Sequence, residues 1–270
     1  MNRDTPAAGD TGAACYVYGI VPADAAAPTG VRGVGTPPAA VDLLPGGRVA
    51  ALVSEVDPTK PLGTPDDLRA HARVLDSVVS ALVPVLPFRF GSVVDGRRAV
   101  ADELLGPSEE GFATALASLR GLAQYTLRGS YVEVRVLRDV LAARPDIAAL
   151  RERTASLPED TGHYDRLRLG ELVAREIGDR GEADVRHLVD TLGPLAVAVA
   201  RGPDPDPDQP IDVSFLVHHT RWARFEAEAE DLARGWSGRV GIRLLGPLAP
   251  YDFAPTAVDG ASEGVPGPWV

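Results

Sequence analysis

The chain has 270 residues, 45% hydrophobic and 24% charged, the make-up of a globular protein long enough to bury a core without disulfide staples. At about 100–200 residues per domain, that length favours two domains. The formal net charge of −11 argues against a phosphate-binding footprint, so neither nucleic acid nor an anionic membrane surface is an expected partner.

Residues 1–12 and 256–270 are rich in Ala, Gly, Pro and Thr without periodicity and read as disordered tails. CYVYGIV at 15–21 alternates like a strand, and a Gly/Pro/Ala connection over 22–47 has room for a short edge strand. VAALVSEV at 49–56 is a second clear strand. Thr64 is placed to cap a helix, with Pro65 at its first position and Leu68, Ala72, Leu75, Val79 and Leu82 as its apolar stripe. VLPFRFG at 85–91 reads as a strand, and helices are expected over about 97–105 and 108–128. In the second half SYVEVRVL at 130–137 alternates as a strand, and helical sequence runs to about Leu192 with breaks at Pro158 and Gly162. Strands at 194–201 and 211–218 flank the loop GPDPDPDQP. Thr220 is placed to cap a helix over 221–236, and RVGIRLL closes the half as a strand.

The order strand, helix, strand, strand, helix, strand is that of a ferredoxin-like α/β sandwich. The expected class is therefore α+β, with two ferredoxin-like or modified ferredoxin-like domains built on antiparallel sheets. They span 13–128 and 129–255. Such a fold fixes no function.

A search for chemistry excludes more than it finds. Cys15 is the only cysteine, so no internal disulfide and no Cys-based zinc site can form. Lys60, the only lysine, sits in DPTKPLG without the glycines of a phosphate cradle. GVRGVG at 30–35 is followed by prolines where a dinucleotide site needs a helix N-terminus. Asp204, Asp206 and Asp208 match the start of a calcium loop, but Gln209 and Phe215 stand where glycine and a bidentate glutamate belong. His218 and His219, adjacent at a strand end, should point to opposite faces and so cannot share a metal. No catalytic, cofactor or metal residues are assigned.

Apolar runs fall short of the ~20 residues of a membrane helix, and the N-terminus lacks a signal-type core, so a cytoplasmic location without membrane insertion is expected. Three residues stand out as partner-binding candidates: Arg89, a charge set between Phe88 and Phe90 and expected to be partly buried and paired, and Tyr251 and Phe253, which follow the closing strand. Pro247 and Pro250 are expected to stop sheet pairing there.

CYVYGIVPAD, HARVLDSVV followed by VLPFRFGSVV, and the ending LLGPLAPYDF together resemble, in order and spacing, the gas vesicle protein F/L family over about 14–255. The resemblance departs at Ala72, where an acidic residue is common in the family, and at Leu248, where tryptophan is. It implies a non-enzymatic minor component of the gas vesicle, needed for assembly. It also implies, as partners, the major gas vesicle shell protein and other gas vesicle accessory proteins. The contrasting reading is a small-molecule-binding or enzymatic tandem ferredoxin-like protein with a site between its domains, drawing on Arg89 and His71.

Overall fold

The alternation of ACYVYGIVP folds as β1 (Ala14–Pro22), a strand whose first eight residues are all buried. The protein is described here by a computed structural model covering residues 14–157, 162–202 and 209–254; the two terminal stretches read as tails, and Asp204, Asp206 and Asp208, lie outside the described residues. It is an α+β protein with two antiparallel sheets. Two compact units divide it, one made of the chain up to Ala123 and again from Pro247, the other of Gln124–Gly246.

In the first unit β2 (Asp42–Gly46) and β3 (Val49–Val56) form a hairpin, and the sheet runs β2-β3-β1-β4, with β4 only Leu86–Pro87 and β5 (Val93–Val94) pairing β1 separately. The expected strand over 85–91 is thus cut short: beyond Pro87, which lacks an N–H for a ladder, the chain turns. Helix α1 (Pro65–Ser80) starts with the capping box that Thr64 predicts, reciprocated by Asp67. Its buried stripe is Asp67, Ala70, His71, Val74, Leu75, Val78 and Val79. The predicted Leu68 and Leu82 are instead 50% and 46% exposed, and Leu82 lies past the helix end. The phase is set by His71, whose ring is drawn inward by two tyrosines, and a leucine count gives that no weight. Helix α2 (Gly96–Ala99) leads through a π-helical turn (Val100–Leu105) into α3 (Gly106–Ser118), which contacts β1 and β3.

The second unit departs most from expectation at its start. Residues 122–128 are strand where helix is predicted, within β6 (Leu122–Tyr131), and 133–137 open α4 (Glu133–Ala143) where strand is predicted. Val132, Val134 and Val136 alternate by composition only: Val134 is 68% exposed while Val136 and Val140, one helical turn apart, are buried. Helices α5 (Pro145–Ala155) and α6 (His163–Leu192) follow, then β7 (Ala198–Arg201), β8 (Ile211–His218), α7 (Trp222–Gly235) and β9 (Val240–Leu248).

This sheet runs β7-β8-β6-β9, with β7 and β8 pairing antiparallel. Tyr125, Leu127, Val213, Phe215 and Val217 meet Leu188 and Leu192 of α6 and Phe225, Ala229 and Leu232 of α7 in one core. Thr220 does not cap α7; it lies in a 3-10 turn (His219–Arg221) whose cap is the His218 ring, and no side chain caps α7 itself. Gly246 and Pro247 do not end β9 either. The strand continues to Leu248, because β9 is an edge and a proline there costs no shared ladder bond. Gly246 has φ 150°, and a side chain at that position would run into the Tyr125 ring.

Candidate interaction site

β1 and α1 bring Tyr16, Tyr18 and His71 together in the core of the first unit. The rings of Tyr16 and Tyr18 lie 5.7 and 5.6 Å from the His71 ring, with Phe90 at 5.8 Å on another side. The Tyr16 hydroxyl is 2.8 Å from His71 Nδ1 and accepts the Gly91 N–H at 3.1 Å. The Tyr251 hydroxyl is 2.9 Å from His71 Nε2. A neutral imidazole suits this position, since it donates through one nitrogen and accepts through the other. Burial drives the His71 pKa down to about 4, against a smaller upward pull from a backbone hydrogen bond at Phe88. Burial likewise raises the hydroxyl pKa of Tyr16 and of Tyr251, so both stay protonated, one donating to the imidazole and the other accepting from it.

Tyr18 and Asp67 hold the long connection over this cluster. The Tyr18 hydroxyl donates to Ser54 Oγ at 2.9 Å and accepts the Val34 N–H at 2.9 Å. The Ser54 hydroxyl in turn donates to the Ala40 carbonyl at 2.6 Å. Gly33 must be glycine here, because a Cβ would collide with the Tyr18 and Ser54 hydroxyls. Burial alone would raise the Asp67 carboxyl pKa, but the Gly35 N–H, the Thr64 hydroxyl and the N–H groups of Gly63 and Thr64 together hold it low.

The three sequence candidates fall in different settings. Phe253 is buried and Tyr251 is 36% exposed, its ring at the surface and its hydroxyl on His71. Arg89 is exposed, not half-buried, and among the described residues it makes no ion pair; its carbonyl accepts from the Ser92 N–H and hydroxyl. Its side chain points out because the extended stretch that would have buried it ends at Pro87. His218 and His219 stack with ring centroids 4.3 Å apart, not on opposite faces, since strand alternation stops at His218. Among the described residues no cluster of three or more His, Cys, Asp or Glu is placed to hold a metal, and no helix is long and apolar enough to cross a membrane.

Sequence reasoning could invoke exposed sheet edges but not say which strands form them. Four strands end the two sheet paths: β2, β4, β7 and β9. Pro45 lies in β2, Pro87 in β4 and Pro247 in β9, each removing a ladder donor from an edge. β7 carries no proline. It presents Val199, 38% exposed, beside Val197, 64% exposed, while its other side pairs β8. The signal was in the sequence as the proline-free run LAVAVAR, but only strand order reveals that the run is an edge.

Comparison with known proteins follows the same lines. The family described as "Gas vesicle synthesis protein GvpL/GvpF" matches residues 14–255. A gas vesicle protein F from Streptomyces sp. is 33% identical over 240 residues, which cover 88% of this chain and 98% of that protein. Another from Microcystis aeruginosa is 23% identical over 240 residues, with 88% and 97% covered. The crystal structure of the gas vesicle protein GvpF from Anabaena sp. superposes with a TM-score of 0.75 at 23% identity, over 90% of this chain and 98% of that one. The GvpF structure from Microcystis aeruginosa gives 0.74 at 22% identity, over 90% and 99%.

Proposed function

This chain belongs to the GvpL/GvpF family of gas vesicle synthesis proteins, and from that premise we propose that it is a non-enzymatic minor component of the gas vesicle. In this reading it acts in the cytoplasm and on the growing vesicle, binds the hydrophobic shell protein and other accessory proteins, and is required for assembly. The fold expected for such a role is a pair of ferredoxin-like modules. Supporting it, both sheets place their four main strands in the order second, third, first, fourth.

The observation that carries the binding mode is the distribution of proline over the sheet edges. Among the described residues, three of the four strands that end the sheet paths carry a proline and β7 does not; the proline-free β5, which pairs β1 beside β4, is only two residues long. An added strand from the shell protein would satisfy the outer N–H and C=O groups of β7, with Val197 and Val199 beside it as apolar contacts. Arg89 and the exposed ring of Tyr251 are further partner contacts in this reading, and Phe253 acts by seating the segment that carries Tyr251.

Co-expression of tagged full-length chain with the shell protein tests it. The wild type should co-purify with the shell protein across a range of salt, and Val199→Asp should lose it with an unchanged melting temperature. Equal recovery by both proteins would remove β7 from the account, and no recovery by either would remove the partner.

A further inference from the structure

Helices α4 and α5 and the first half of α6 make a small core of their own. Val136, Val140 and Ile147 are its buried centre, with Leu172 and Ile177 packed against them. Leu141, Leu169 and Val173 also pack against this core from one side, each only partly buried. Val134, Leu137, Arg138 and Leu141 form a second stripe at i, i+3, i+4 and i+7, and with Leu169 and Val173 of α6 they line an open groove of about 540 Å³. Arg151 of α5 completes the rim. No carboxylate lines this groove, although the whole chain carries a formal charge of −11. Neighbouring arginines are neutralised: Arg135 by Asp139, Arg144 by Asp146 and Glu176, and Arg180 by Glu176. Arg138 and Arg151 are exposed and, among the described residues, form no ion pair.

The stripe from Val134 to Leu141 is about 10 Å long at 1.5 Å per residue, two turns of helix. A trough of that length between two helices accepts a ridge of aliphatic side chains from a third. A bilayer would need a convex apolar face instead. Two guanidinium groups without an ion pair among the described residues, beside an apolar floor, favour carboxylates on the incoming element. We infer that the groove between α4 and α6 is a docking site for an amphipathic helix of another polypeptide, one with aliphatic anchors at i, i+3 or i+4, and i+7 and with acidic residues flanking them. This inference does not rest on the β7 reading, and either can fail without the other.

The test uses full-length protein and two labelled synthetic helical peptides. Both carry leucines at the anchor spacing; one has flanking glutamates and the other lysines. The acidic peptide should bind in fluorescence anisotropy, at least about tenfold more tightly than the basic one. Val134→Glu, at a position too exposed to affect folding, should weaken it by a similar factor. Arg138→Glu combined with Arg151→Glu should reverse the preference between peptides, which a merely structural role for the arginines would not do. Equal binding of the two peptides, or an acidic peptide indifferent to Val134→Glu, would overturn the proposal. So would a dimer in sedimentation that Val134→Glu converts to monomer, or binding to phosphatidylserine vesicles that Val134→Glu abolishes. Those results would assign the groove to a second copy or to a lipid surface.

Discussion

The two sheets share a strand order but differ in what joins their first two strands. In the first unit the connection from β1 to β2 is irregular chain held down by Tyr18, Ser54 and Asp67. In the second, the connection from β6 to β7 is three helices with a core of their own. The connection in the first unit is therefore held by buried hydrogen bonds and that in the second by apolar volume. A buried polar network that loses one member leaves the others unsatisfied, whereas a truncated apolar side chain leaves a cavity. Substitutions should accordingly act by different rules in the two units.

The largest effect is expected in the apolar core of the second unit. Phe225 is fully buried, 5.1 Å from the Tyr125 ring and 5.3 Å from that of Phe215. Phe225→Ala should cost about 3–5 kcal/mol in urea unfolding followed by Trp222 and Trp236 fluorescence. A loss below about 1 kcal/mol would mean that the core is not packed as described.

The first unit should instead be sensitive to pH. With a folded-state pKa of about 4 against 6.5 for a free histidine, His71 binds fewer protons folded than unfolded between those values. Its contribution is fully present above pH 6.5 and is lost as pH falls toward 4, by up to about 3 kcal/mol. His71→Gln should be less stable at pH 7 but should flatten the slope between pH 6.5 and 5, where carboxylates contribute little. An unchanged slope in the variant would place the titration elsewhere.

Smaller effects separate the terminal anchor from an ordinary surface loop. Tyr251→Phe keeps the ring and removes only the bond to His71, so about 1 kcal/mol should be lost. No loss would leave the anchor to Phe253 alone. The two threonines expected from the sequence as caps give the finest distinction. Thr64→Ala should cost about 1 kcal/mol, because the Thr64 hydroxyl accepts the Asp67 N–H and the reciprocal bond is present. Thr220→Ala should stay within about 0.5 kcal/mol, since no side chain caps α7. Equal costs would restore Thr220 as a cap.

Much of the strand framework was legible: the β1, β3 and β8 runs alternate or stay apolar over lengths that only a buried strand explains. The helix start at Thr64 was legible too, because an N-cap threonine and an N1 proline are local signals. The stretch 122–137 was not. LAQYTLR mixes polar and apolar residues as an amphipathic helix would, yet Gln124, Thr126 and Ser214 hydrogen-bond one another across two strands, a pairing invisible in one dimension. The VEVRV run alternates, and only the packing of Val136 and Val140 against Ile147 of α5 decides for helix. Tyr251 was legible as an aromatic near the C-terminal end of the chain, but its partner lies 180 residues away. The β7 edge was hidden for the same reason, since exposure of a strand edge is a property of sheet order.

We propose that β7 serves gas vesicle formation as an open edge. In a gas vesicle-forming host lacking this chain, counting vesicles by electron microscopy after returning wild type or Val199→Asp tests it most directly. Wild type should restore vesicles, and Val199→Asp, expressed at the same level, should not. Vesicles in equal number with both would contradict the account.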